Sequence, residues 1–157
     1  MTVTLRAPSL DECQLVRVWR NAPDVLPMLR TGAKTEAEQA AFFRDVICNP
    51  RADHRYYAVV GGRELLGMGG LTYLSRVTGE AEISLLLDPA WRGKGVGTAA
   101  VLALLEQACH LHLTSVIGEC YAQSPAQPFW RKVVERTGGD VIERAGDSFW
   151  FRWRIWR

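Results

Sequence analysis

Apolar and polar positions change their period several times along the chain, and each change marks an element. Val3 to Ala7 has strand chemistry. Ser9 or Asp11 can cap a helix running to about Asn21, with Leu10, Val18 and Trp19 among its apolar positions. Residues 22–34 hold two prolines and a glycine and read as a loop. Thr35 and Glu38 form a capping box ahead of AAFFRDVIC, a second helix. The period then shortens. RYYAVV, the turn GGRE and LLGMGGLTYL predict two antiparallel strands in a hairpin, and a turn at Thr78–Gly79 leads into a third strand through ISLLLD. Helical spacing returns from Gly95 or Val96 to about His110. SVIGECY is the next strand. QPFWRKVVERT is a helix with Pro128 in its first turn, ended by Gly138–Gly139. DVIER, an AGD turn and SFWFRWRIWR close the chain as a hairpin. In the last strand Phe149, Phe151, Trp153 and Ile155 share one face, and Trp150, Arg152, Arg154 and Trp156 the other.

The order β-α-α-β-β-β-α-β-α-β-β mixes hairpins with later crossover helices. It predicts an α+β (mixed α/β) domain, with four helices around one central mixed sheet of about seven strands, rather than a doubly wound fold. At 157 residues a single domain over 1–157 is expected. The composition is that of an ordinary globular protein. A net charge of +2 gives no argument for nucleic acid, and the Trp/Arg-rich tail reads as a packed strand. No run approaches the roughly 18 apolar residues of a membrane span. MTVTLRAPS lacks a basic region followed by an apolar one, so no signal peptide is expected. Cys13, Cys48, Cys109 and Cys120 are scattered without a CxxC pair and read as reduced thiols of a cytoplasmic protein. His110 and His112 fall at a helix end, and no metal site is expected.

The stretch WRGKGVGT, residues 91–98, concentrates the chemistry. Alternating glycines allow a close backbone approach, and Arg92 and Lys94 suit an anion. The order of glycines and lysine does not match the phosphate loop GxxxxGK[ST]. Gly95 to Ala100 fits GxGxxA, but seven residues separate Leu87 from Gly95, too many for the tight dinucleotide-binding turn. The remaining readings are a loop whose amides meet a pyrophosphate at a helix N-terminus and a glycine-rich solvent loop with a helix cap.

Arg92-x-x-Gly95-x-Gly97 resembles the coenzyme-A signature Q/R-x-x-G-x-G/A of the GNAT superfamily of N-acyltransferases. Its flanks, AEISLLLDPA and AAVLALLEQA, are similar to the family's fourth strand and third helix, and the element order is the family's order. The resemblance covers nearly the whole chain and implies acetyl-CoA as cosubstrate. It implies that Arg92, Gly93, Lys94, Gly95, Val96, Gly97 and Thr98 hold the pyrophosphate. It also implies that the backbones of Leu85 and Leu87 pair with the pantetheine arm, with an N–H there polarising the thioester carbonyl. Gln123 stands where the family's second signature has Asn, and Trp130 where it often has the Tyr that protonates the departing thiolate. Indole has no acidic proton at pH 7, so Trp130 is expected only to pack against the arm.

Acylation needs a neutral amine, so a base is expected. Glu82, on the strand face opposite Ile83, Leu85 and Leu87, is the first candidate and Glu119 the second; an ion-paired strand carboxylate is the alternative for Glu82. Trp19-Arg20-Asn21, with Val25 following, resembles a WRN-x-x-x-V segment of acetyltransferases acting on protein N-termini or amino sugars. That likeness makes Arg20 and Asn21 acceptor-binding candidates. The acceptor is a small-molecule or peptide amine whose identity stays open, and a homodimer is compatible with the resemblance. The expected activity is transfer of an acetyl group to a primary amine by direct attack on the thioester. Two alternatives stand beside it: a non-catalytic acyl-CoA sensor on the same fold, and a dinucleotide oxidoreductase.

Overall fold

A computed structural model describes residues 2–145 and 148–155. Strand β1 (Thr4–Arg6) leads into helix α1 (Leu10–Arg20), then helix α2 (Glu36–Phe42), strands β2 (Arg55–Gly61), β3 (Glu64–Thr72) and β4 (Glu80–Leu87), and helix α3 (Val96–His110). Strand β5 (Ser115–Tyr121), helix α4 (Gln127–Arg136) and the hairpin β6 (Asp140–Ala145) and β7 (Ser148–Arg154) complete the order that the sequence predicts. Gly146 and Asp147 of the expected AGD turn, and Trp156, lie outside the described residues.

Ser9, not Asp11, caps α1. The Glu12 N–H donates to the Ser9 hydroxyl at 3.1 Å while the Ser9 N–H donates to the Glu12 carboxylate at 2.9 Å, a reciprocal capping box. The buried stripe of α1 is Cys13, Val16 and Trp19; Leu10 and Val18 are exposed. Cys13, a free cysteine, packs here as a small apolar residue and sets the phase of the stripe. The capping box at Thr35 and Glu38 forms as expected. Past Phe42 the chain widens into a π turn over Phe43–Ile47, and the 22–34 loop contains a short 3₁₀ turn at Leu26–Met28.

The sheet order is β1-β2-β3-β4-β5-β7-β6. All neighbours are antiparallel except β4 and β5, which run parallel across the α3 crossover. That parallel contact is brief: Glu80 pairs with Ser115, Ala81 with Val116 and Glu82 with Ile117. From Ile83 to Leu87, β4 remains paired to β3 alone, so the sheet opens into a fork in its middle.

The two faces of the sheet carry separate cores. On one, α3 and α4 bury Ile83, Leu104, Val116, Val133, Phe149, Phe151 and Trp153. Here Phe149, Phe151 and Trp153 sit together as the alternation in β7 predicts. On the other, α1 packs Cys13, Val16 and Trp19 on Met68, with Tyr56 and Leu86 beside them. Side chains alternate across β4, so Leu85 and Leu87 join the α3 side and Glu82 points to the α1 side.

Candidate active site

The floor of the site is the open edge of β4. On such an edge alternate residues turn their N–H and C=O groups outward, where an extended ligand can take them up as a further strand would. The Leu85 and Leu87 side chains are half-buried against the core beneath α3, which leaves their backbone for the fork.

At the far end of β4, Asp88 receives the Ala90 N–H at 2.9 Å and starts a short 3₁₀ turn over Pro89–Trp91. The chain then passes through Gly93 at φ 73° and Gly95 at φ 81°, left-handed conformations that suit glycine. A Cβ at either would meet nothing within 4 Å, so the space beside them is open. Gly95 is the N-cap of α3 and supplies no side chain to cap it. The backbone ladder begins with the Ala99 N–H on the Gly95 carbonyl. The earlier N–H groups of Val96, Gly97 and Thr98 lie in the uncapped first turn, at the positive end of a 15-residue helix. Gly97 answers to a different demand: a Cβ there would come within 2.8 Å of the Phe129 ring, so glycine lets α3 dock on α4.

The two cations of the loop are held loosely at its surface. Arg92 bonds to Asp24 at 3.1 Å and to the Leu87 carbonyl at 3.4 Å, joining the glycine loop to the 22–34 segment. The Lys94 ammonium lies 5.3 Å over the Trp91 ring. Gln123 is exposed in the turn after β5. Trp130 stacks on Phe151 at 5.1 Å and meets Phe129 edge-on at 5.1 Å, so its ring is fixed against the α4 core.

These features fit the coenzyme that the glycine signature implies. They offer an open strand edge, a bare helix start and two glycines with free space beside them. Among the described residues no cluster of three or more His, Cys, Asp or Glu is placed to hold a metal.

The opposite face of the fork is built from side chains. Glu82, where β4 and β5 part, and Glu119, two residues further along β5, both point to the α1 side, with 18% and 15% of their side chains exposed. Between them lies Arg30, which sequence reasoning left as one of many residues in a loop. It donates to Glu82 at 2.8 Å and 3.3 Å and to Glu119 at 2.7 Å. Burial opposes the Arg30 charge, but the hydrogen bonds it donates to Glu119 and Glu82 outweigh it and hold the guanidinium's pKa above its usual value.

Arg20 and Asn21 fix the loop that carries Arg30. Arg20 donates to the Gly32 carbonyl at 2.9 Å and to the Thr31 hydroxyl. Asn21 and Lys34 exchange two hydrogen bonds, at 2.7 Å and 2.9 Å. Tyr56 completes this side. Its ring lies against the bare backbone of Gly70, and burial, then the neighbouring Tyr73, pushes its phenol up to about 12. Tyr56 therefore stays neutral at physiological pH. No short motif marks Arg30 or Tyr56; only the register of β2 on β3 and the hydrogen bonds of Arg20 and Asn21 bring them to the fork.

The arrangement thus offers backbone donors on one side and carboxylates on the other, meeting where the sheet opens. The profile of the GNAT acetyltransferase domain matches residues 2–139. No curated protein matches the sequence. The fold is similar to that of the spermidine N-acetyltransferase of Vibrio cholerae, solved with CoA and spermine. The TM-score is 0.86 at 16% identity, over 98% of this chain and 96% of that one. It is also similar to AAC(6')-Ib solved with paromomycin and acetyl-CoA, with a TM-score of 0.78 at 19% identity, over 98% and 94% of the two chains. The chain belongs to the GNAT acetyltransferase family, and its activity is acetyl-CoA-dependent N-acetylation of an amine.

Proposed function

We propose that the acceptor is a cationic alkyl amine and that it attacks the thioester directly in the β4–β5 fork. The observation that carries this reading is the three-pair parallel contact of β4 and β5 with Glu82 at its end. It puts an open backbone edge and a carboxylate at one point. Acetyl-CoA supplies an activated acetyl group. Residues Arg92 to Thr98 hold its pyrophosphate through backbone N–H groups and the two loop cations. The Leu85 and Leu87 backbones hold the pantetheine, and one of their N–H groups donates to the thioester carbonyl as negative charge develops on its oxygen. The Gln123 amide and the Trp130 ring flank the arm.

An alkyl amine arrives as an ammonium and must lose a proton before it can attack. Glu82 takes that proton, directly or through a water, and Glu119 keeps the pair's field negative. The C–N bond forms, the carbonyl oxygen takes up the electron pair, and its return breaks the C–S bond while the new amide nitrogen sheds its second proton to solvent. Trp130 cannot protonate the sulfur, so the leaving group departs as a thiolate that takes its proton from solvent. Positioning and polarisation carry the step, and a nucleophilic side chain is not needed.

Two half-buried carboxylates suit an acceptor with positive charge. The two similar enzymes were solved with spermine and paromomycin, both polycationic amines. A homo-oligomer and a cytoplasmic setting belong to the same reading; a similar enzyme forms a dodecamer. Free-thiol release from acetyl-CoA across a panel of alkyl amines, with the acetylated product identified by mass spectrometry, tests the assignment. Tight CoA binding with no amine acetylated would overturn it in favour of an acyl-CoA sensor.

A further inference from the structure

Glu82 accepts a proton in the reaction above, yet both of its carboxylate oxygens are occupied. Arg30 takes Oε1 at 2.8 Å and Oε2 at 3.3 Å, and the same guanidinium takes Glu119 at 2.7 Å. An ammonium cannot sit between Glu82 and Glu119 while the Arg30 guanidinium fills that place. Nor can Arg30 leave without a replacement, because two carboxylates this shielded from water hold their charges together only with a cation between them. Arg30 projects from a segment whose regular structure is one short 3₁₀ turn and which is tied down at Thr31, Gly32 and Lys34. These anchors lie just beyond Arg30, another at Asp24 lies ahead of it, and the side chain itself is 44% exposed.

We infer that Arg30 is a specificity-determining residue that stands in for the acceptor's ammonium. It fills the Glu82–Glu119 pair in the resting protein and yields it only to an amine that arrives with a positive charge. The exchange keeps the charge between the carboxylates constant, so an alkylammonium offsets the cost of displacing Arg30. An aromatic amine, neutral near pH 7, does not. Once the guanidinium has swung away, Glu82 has a free oxygen and the incoming N–H faces it. Selectivity for alkyl over aryl amines then comes from the residue that must be displaced, in addition to the pocket's shape. The inference rests on the acetyl-transfer reading of the fork.

The test compares wild type with Arg30→Met and Arg30→Lys, using n-butylamine and aniline as acceptors. It is accompanied by calorimetric binding of butylammonium to the CoA complex, which needs no turnover. The apparent affinity of a site open for only a fraction of the time falls by that fraction, so removing the plug raises it. Arg30→Met is expected to lower the KM and the Kd for butylamine by ~10-fold or more, at unchanged affinity for CoA. Arg30→Lys, which keeps charge but loses the fork-shaped donor set, is expected to fall between. The gain should vanish when Glu119→Gln is added, and aniline, which no longer has a guanidinium to displace, should be acetylated faster by Arg30→Met than by wild type, so that the preference for alkyl amines narrows. Butylammonium binding that is equal or weaker in Arg30→Met, with CoA still bound, overturns the inference. If all variants bind CoA and the cation in the expected order but none transfers acetyl, the acetyl-transfer reading fails and the role of Arg30 as a cation's stand-in survives.

Discussion

On the α3 side of the fork a ligand meets main chain: the free edge of β4, the turns at Gly93 and Gly95, and the first amides of α3. On the α1 side it meets side chains drawn from distant parts of the chain, with Arg30 lying 52 residues from Glu82 and 89 from Glu119. Main-chain sites depend on where glycines fall and where helices start, so they tolerate most other changes. Side-chain sites depend on a few contacts between distant residues, and each can be altered alone. A protein divided in this way can keep one cosubstrate and change its acceptor by altering a loop.

Substitutions can break this division one side at a time. The largest expected effect is on the main-chain side. Gly95→Glu should abolish CoA binding by calorimetry, because a side chain is strained at φ 81° and its charge would repel phosphates held, as proposed, by the helix-start amides. Unaltered affinity in that variant would remove the loop from the site. Next is the proton acceptor. Glu82→Gln should lower kcat by ~10²-fold or more at unchanged CoA affinity, with a smaller loss for Glu119→Gln. A larger loss in Glu119→Gln would reverse the two roles. A third effect separates positioning from chemistry. Asn21→Ala removes both bonds to Lys34 and should shift the KM for the amine by a few-fold, at about 1 kcal/mol, without changing the Kd for CoA.

The smallest effect lies away from the fork. Arg6 holds the Glu12 carboxylate through two 2.7 Å hydrogen bonds, which lowers its pKa to about 2 from the usual 4.5. The unfolded chain therefore binds more protons than the folded one between those values. The contribution to stability is complete above about 4.5 and is lost as the pH falls toward about 2. Melting curves from pH 6 to pH 2 should show a shallower decline in Glu12→Gln than in wild type, and parallel curves would remove Arg6 and Glu12 from the acid response.

The same division explains what the sequence discloses. The order of elements, the glycine loop, the capping box at Thr35 and Glu38, the cap at Ser9 and the buried face of β7 follow from local chemistry, in which turn residues, caps and alternation act over a few positions. Strand β4 is legible for the same reason: the apolar run SLLLD ends at the glycine loop. The phase of α1 is less legible, because Cys13 packs there as an apolar residue. Arg30 was missed because nothing near it in the sequence marks it. Its partners lie on two other strands, and a loop arginine beside Leu29 looks like any solvated cation. Arg20 and Asn21 point toward the right region, but their hydrogen bonds give them the task of holding the loop that presents Arg30.

A strand edge with unclaimed hydrogen-bonding groups is ordinarily a hazard, since another chain can pair with it and begin a growing stack. Here the open stretch from Ile83 to Leu87 lies in the interior of a seven-stranded sheet, between β3 and the diverging β5, and is only five residues long. A narrow, flexible arm can enter the gap, whereas the pleated edge of a neighbouring protein cannot approach it broadside. By parting in its middle, the sheet keeps such a surface inside itself, with the carbonyl of Leu87 at its end already taken by Arg92.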